Sequence, residues 1–158
     1  MTGAGSSSPL PPPPRAQGDY QPLSVHGGVA YTAGMTPRRD GLLTVTGTVG
    51  AEVDLATAAE ATAVATANAL AAVASAVGGI AGIDRVLAMT VYIAAAPGFT
   101  GHSAVADAGT ARIRQLVGGP PPARAAVGVA SLPGGSPVEV ALVVALRVGP
   151  VDPGAGQR

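Results

Sequence analysis

The sequence predicts an α+β domain in which two helices cover one face of a mixed sheet. Three observations predict it. Segments with strand and helix character follow one another in the order β-β-α-β-α-β-β. The strands are sequential at both ends of that order, which favours helices gathered on one face over a doubly wound arrangement. A chain of 158 residues is long enough for one core and too short for two ordinary ones.

Residues 1–16 are rich in Gly, Ser and Pro, and the PLPPPP run favours an extended polyproline conformation, so they read as a disordered tail before a domain at 17–147. GGVAYTAGM (27–35) alternates small and large residues. PRRDG (37–41) carries turn chemistry, and LLTVTGTV (42–49) reads as a second strand joined to the first through Asp40-Gly41. The stretch 54–79 is the longest helix, with Asp54 as N-cap and Gly78-Gly79 as its stop. RVLAMTVYIAAA (85–96) has the β-branched content of a buried strand, and PGF (97–99) turns the chain into a second helix at 101–119. Strands at 124–130 and 137–147 follow, joined by SLPGGS. Residues 148–158 read as a flexible C-terminal tail.

Composition narrows the function. Only 11% of residues are charged, so the chain has little with which to solvate an apolar sheet face, and burial against copies of itself is expected. All nine basic residues are Arg, balanced by nine acids. Only Arg38-Arg39 are adjacent, which disfavours nucleic-acid binding. The absence of Cys removes disulfides, thiolate metal sites and a Cys nucleophile. His26 and His102 have no metal-ligand spacing. No long apolar run marks a membrane span and the N-terminus lacks signal-peptide order, so no membrane partner and a cytoplasmic location are expected.

Two charges stand out within apolar runs near the C-terminus, Arg124 and Glu139. A charge in a strand that otherwise reads as buried is paired, solvated or used, because isolation there is costly. A guanidinium suits a carboxylate, offering two parallel N–H donors to two oxygens, and Arg124 is the candidate anchor. A partly desolvated Glu can take and return a proton near neutral pH, and Glu139 is the candidate acid-base group. In a simple hairpin about SLPGGS, Glu139 would lie opposite Gly128, on the order of 13 Å along the strand from Arg124. The two could not touch there. Either another strand separates them or a neighbouring chain completes the site.

The segment PARAAVGVASLPGGSPVEV (122–140) resembles the C-terminal signature of the reactive-intermediate deaminase family (RidA, also called YjgF), in which Pro-Ala-Arg opens one strand and a Glu fifteen residues later lies in the last. GDY (18–20), YTAGM (31–35), the helix-then-strand centre at 68–93 and APGF (96–99) extend the resemblance over roughly residues 18–147. It implies a chorismate-mutase-like fold and a homotrimer with clefts between subunits. Each cleft would bind a small carboxylate metabolite and hydrolyse an enamine or imine to a 2-keto acid and ammonia, without cofactor or metal. By the same resemblance Glu139 is catalytic, and Arg124, Tyr20, Gly34, Ala33, Ala126 and Ser103 line the substrate site. The chain departs from the pattern where Ala33 replaces a Ser, Ala126 a Cys, Ser103 an Asn and Ala141 a second Glu. The expected cleft keeps its charged pair and becomes more apolar.

Blander roles compete at each position. Arg124 could be a snorkelling rim residue, Glu139 one side of an inter-subunit ion pair, and Tyr20 a ring capping the core. Gly34 could be a strand-end turn, His102 a surface residue, and Arg112 with Arg114 a solvated helix face. The alternative to a deaminase is a non-catalytic trimer that binds a small acid as a sensor or docking module. Endoribonuclease activity fits a chain with so little clustered positive charge poorly.

Overall fold

A computed structural model describes residues 9–147; the C-terminal tail expected at 148–158 and residues 1–8 lie outside the described residues. The elements are β1 (Leu23–His26), β2 (Val29–Thr32), β3 (Arg38–Arg39), β4 (Leu42–Leu43), α1 (Leu55–Ala76), β5 (Ile83–Ala94), α2 (His102–Leu116), β6 (Ala123–Val129) and β7 (Val138–Leu146). The main sheet has the order β1-β2-β7-β5-β6. Only β5 and β6 run parallel, joined through α2 as a parallel connection requires; the other neighbours are antiparallel. The expected mixed sheet with two helices on one face is the observed fold.

The N-terminal strands differ from the sequence reading. The sheet hairpin is β1–β2, closed by Gly27-Gly28, both at positive φ, while Asp40-Gly41 closes only the two-residue β3–β4 ladder. Both turns use the left-handed backbone that a two-residue hairpin demands. Residues 44–49 do not continue as a strand. Gly47 and Gly50 hold φ of 124° and 90°, which no extended strand accommodates, and Val49 turns inward as a core residue.

Helix α1 begins where Asp54 Oδ1 accepts the Thr57 N–H at 2.8 Å and ends at the Gly78-Gly79 pair, as the sequence predicts. It is apolar nearly all round, and all residues from Ala65 through Ala74 are buried. A helix with that pattern must be covered on several sides. The sheet covers one side, α2 another, and the proline-rich segment lies against the outside, with Leu10 packed onto the core. The tail expected at 1–16 therefore includes a described part, 9–16, that is laid on the helix layer. The buried hydroxyls of Thr62 and Thr66 donate to the carbonyls of Ala58 and Thr62. Buried Asn68 donates to the carbonyls of Thr36 and Arg38, fixing the β3–β4 hairpin to α1.

Burial along β7 alternates strictly. Val138, Val140, Leu142 and Val144 are buried under the helices, while Glu139, Ala141, Val143 and Ala145 point to the other side. Register puts Tyr31 beside Val143 and Tyr92 beside Glu139 on that second face, with Val127 next to Tyr92. Tyr31 is 51% exposed and Val127 42%. No described element covers this face. No described helix is long and apolar enough to cross a membrane.

Removing residues 1–16 should leave a cooperative thermal transition, because the segment adds no strand to the sheet. Its midpoint should fall, since Leu10 loses packing worth about 1 kcal/mol. An unchanged melting midpoint would show that this segment adds nothing to the core.

Candidate functional site

Strand β5 lies between β6 and β7, so Arg124 and Glu139 are two strands apart. Arg124 pairs with Met89 and Glu139 with Tyr92. Met89 is buried against the helices, and Tyr92, three residues on, points the opposite way. The two charged side chains therefore emerge on opposite faces of one sheet, with backbones separated by roughly 10 Å across and 10 Å along. The intervening strand is present, and it leaves the two groups apart within one chain.

Arg124 stands against α2. Its Nη1 donates to Asp107 Oδ1 at 2.7 Å and Thr110 Oγ1 at 3.0 Å, and its Nη2 to Ser103 Oγ at 2.9 Å, with a longer 3.5 Å contact to the Ser103 carbonyl. The side chain is only 20% exposed, whereas Asp107 is 69% exposed. A guanidinium carries five donors in a fixed fork. Here Nε–H has no partner among the described residues, and one Nη2–H has at most the long contact. Nε and Nη2 lie on one edge of the fork, the edge geometry that suits a carboxylate.

Asp107 and Thr110 were missed by the sequence reading. Ser103, Asp107 and Thr110 stand at i, i+4 and i+7, one stripe of a helix, and that spacing was the available signal. His102 is half-buried rather than a surface residue. It packs over Gly128 on the same face of β6 as Arg124 and Ala126, where a Cβ at residue 128 would come within 2.7 Å of its Nε2, and its ring lies 5.2 Å from that of Phe99.

Glu139 belongs to a second cluster. Tyr31 faces Val143 and Met35 faces Val140, so four steps on one strand match three on the other, an extra residue that marks a bulge. Thr32 Oγ1 fills the irregularity by accepting the Leu142 N–H at 2.9 Å, and the Ala33 N–H turns to the Pro22 carbonyl. The bulge lays Gly34 against Glu139, and any Cβ at residue 34 would overlap the carboxylate. Gly34 is required there by close approach. Glu139 accepts no hydrogen bond among the described residues, and desolvation alone raises its pKa above the ordinary 4.5. Tyr20 is 48% exposed, and its hydroxyl accepts the Gln17 N–H at 3.1 Å.

The predicted site residues thus fall into two groups within one chain: Arg124, Ser103 and Ala126 beside α2, and Ala33, Gly34 and Glu139 at the bulge. Tyr20 joins neither through a recorded contact. No described cluster of His, Cys, Asp or Glu could hold a metal ion.

The sequence model described as Endoribonuclease L-PSP matches residues 12–146. The chain belongs to that family, which includes YjgF and RidA. Among similar solved structures, Atu1372 of Agrobacterium tumefaciens, described as of unknown function, is 35% identical, with 83% of this chain and 85% of that chain covered at a TM-score of 0.80. YjgF of E. coli is 21% identical over 85% of this chain and 94% of its own, with a TM-score of 0.62. RidA of the Antarctic bacterium Psychrobacter sp. is 24% identical over 84% and 93%, with a TM-score of 0.58. A search of curated proteins gives no match. For this L-PSP family chain, the last two likenesses establish the fold.

The raised pKa of Glu139 has a signed consequence. The folded chain holds that proton to higher pH than the unfolded chain does, so the contribution is fully present below about pH 4.5 and is lost as pH rises through the raised value. Glu139→Gln should remove this decline, and urea midpoints measured from pH 4 to pH 8 should show the variant gaining on the parent toward pH 8. Parallel pH profiles for the two proteins would contradict a desolvated carboxyl.

Proposed function

We propose that two copies of this chain complete one cleft, the Arg124 group of one facing the Glu139 group of the next, and that the cleft hydrolyses an enamine or imine bearing a carboxylate. The observation carrying this reading is the separation of the two groups onto opposite faces of the sheet. Each half has an unmet requirement: a free donor edge on Arg124 and an unpartnered, half-buried carboxyl on Glu139. The uncovered face carrying Tyr31, Tyr92 and Val127 gives a second copy something to bury, and a closed trimer satisfies every such face alike.

In this cleft the substrate carboxylate takes Nε–H and Nη2–H of Arg124. Glu139 accepts a proton from water as the oxygen adds to the imine carbon. Glu139 returns that proton to nitrogen to give a carbinolamine, then takes the hydroxyl proton and passes it to the amino nitrogen as the C–N bond breaks and the C=O bond forms, releasing the 2-keto acid and ammonia. Asp107 balances the charge of Arg124. The anchor therefore recognises a carboxylate by hydrogen-bond geometry rather than by long-range attraction, and binding should depend weakly on salt. The same neutralisation argues against holding the phosphates of an RNA, which calls for a run of uncompensated cations.

A second reading has its own observation. Ala33, Ala126 and Ala141 supply no polar atoms, and nothing orients the Glu139 carboxyl, which suits a trimer that binds a small acid without turning it over. The two readings separate by assay. With imines generated by an amino-acid oxidase, Arg124→Ala should abolish keto-acid binding and turnover together, a loss of about 2–5 kcal/mol. Glu139→Gln should keep binding and lose roughly 10²-fold in rate. Co-assembling the two variants should restore part of the activity, because some clefts then receive both intact halves. Binding by the parent without any turnover would establish the acid-binding reading, and absence of complementation in mixed assemblies would refute a shared cleft.

A further inference from the structure

On the outer side of the helix layer, away from both Arg124 and Glu139, lies a cavity of about 840 Å³. Its floor is the groove between α1 and α2, lined by Ala63, Ala67, Ala108 and Ala111. Methyl side chains leave open a space that larger residues on facing helices would fill, and the volume lies in the range of small-molecule sites. Leu10 and Pro11 form an apolar wall.

The rim is charged in a way the rest of the chain is not. Arg38, Arg39 and Arg112 line this groove with one acid, Glu60; the Arg38 guanidinium is turned to its own hairpin and toward Gly134, which leaves Arg39 and Arg112 as the rim's cations. Their recorded partners are neutral. Arg38 donates to Thr36 Oγ1 at 3.2 Å and the Gly41 carbonyl at 2.7 Å, and Arg112 to Gln115 Oε1 at 2.6 Å. The Arg39 side chain makes no hydrogen bond among the described residues. The hairpin bearing two of these arginines is pinned by Asn68, so their backbone positions are set before any ligand arrives. An apolar trough under a preorganised cationic rim fits a molecule with an apolar body and one acidic head.

We propose that this groove is a binding site for an amphipathic organic anion, such as a medium-chain carboxylate, separate from the Arg124 and Glu139 site. The apolar body lies along the alanine floor, and the acidic head meets Arg39 and Arg112. Charge-assisted hydrogen bonds of this kind set both the head-group preference and the orientation.

Calorimetric titration of the full chain with decanoate tests it, with decylamine as the charge control. Decanoate should bind, and decylamine should bind at least tenfold more weakly. The double variant Arg39→Glu/Arg112→Glu should weaken decanoate at least tenfold. Ala111→Phe, a change at an exposed position that fills the trough, should do the same. Arg124→Ala should leave decanoate binding unchanged, which distinguishes this groove from the other carboxylate anchor. Thermal melts matching the parent establish that each variant is folded. The proposal is overturned if decylamine binds as tightly as decanoate, if neither groove variant weakens binding, or if Arg124→Ala removes it.

Discussion

The insertion of β5 between β6 and β7 is the constraint on which the rest of the molecule depends. Helix α2 connects β5 to β6 in parallel, β6 lies beside β5, and β7 occupies the other side of β5. Once that order is set, the pleat dictates that Arg124, level with Met89, and Glu139, level with Tyr92, cannot share a face. Each charge then acquires surroundings of a different kind. Arg124 is braced by three side chains of α2, whereas Glu139 is pressed against bare backbone at Gly34.

Those surroundings differ in what they supply to each charge. The α2 stripe holds the guanidinium fork in place, and Asp107 balances its charge. The bulge beside β7 keeps water from part of the Glu139 carboxyl without giving it a partner, which favours the protonated form. Neither arrangement needs loop closure to assemble, since both are built on strands and a helix. Precision of that sort suits positioning better than adaptable capture.

Much of this was legible in the sequence, for identifiable reasons. The span of α1 could be read because Asp54 and Gly78-Gly79 are local signals that act through the backbone alone. The spans of β5 and β7 could be read from β-branched runs and that of β6 from an Ala and Val run, each bounded by Gly or Pro. The first hairpin was misplaced because Asp40-Gly41 is a sound turn signal whose flanks are too short to join the sheet, and Gly27-Gly28 closes the larger one. Arg124 and Glu139 were visible as charges out of place. Their faces were not, because facing depends on which strand sits between them, a long-range fact that no local pattern encodes. Asp107 and Thr110 went unread because polar residues on a helix usually face water, and only the tertiary position of β6 turns that stripe toward a guanidinium.

The uncovered sheet face has an optical consequence. The chain has no tryptophan and three tyrosines, and two of them, Tyr31 and Tyr92, stand on that face, while Tyr20 lies outside it. Near-ultraviolet absorption and emission from this protein therefore come largely from rings at the surface where another subunit would dock. Any event that wets, dries or repacks that face is written into the intrinsic spectrum, and the molecule carries its own dye for following it.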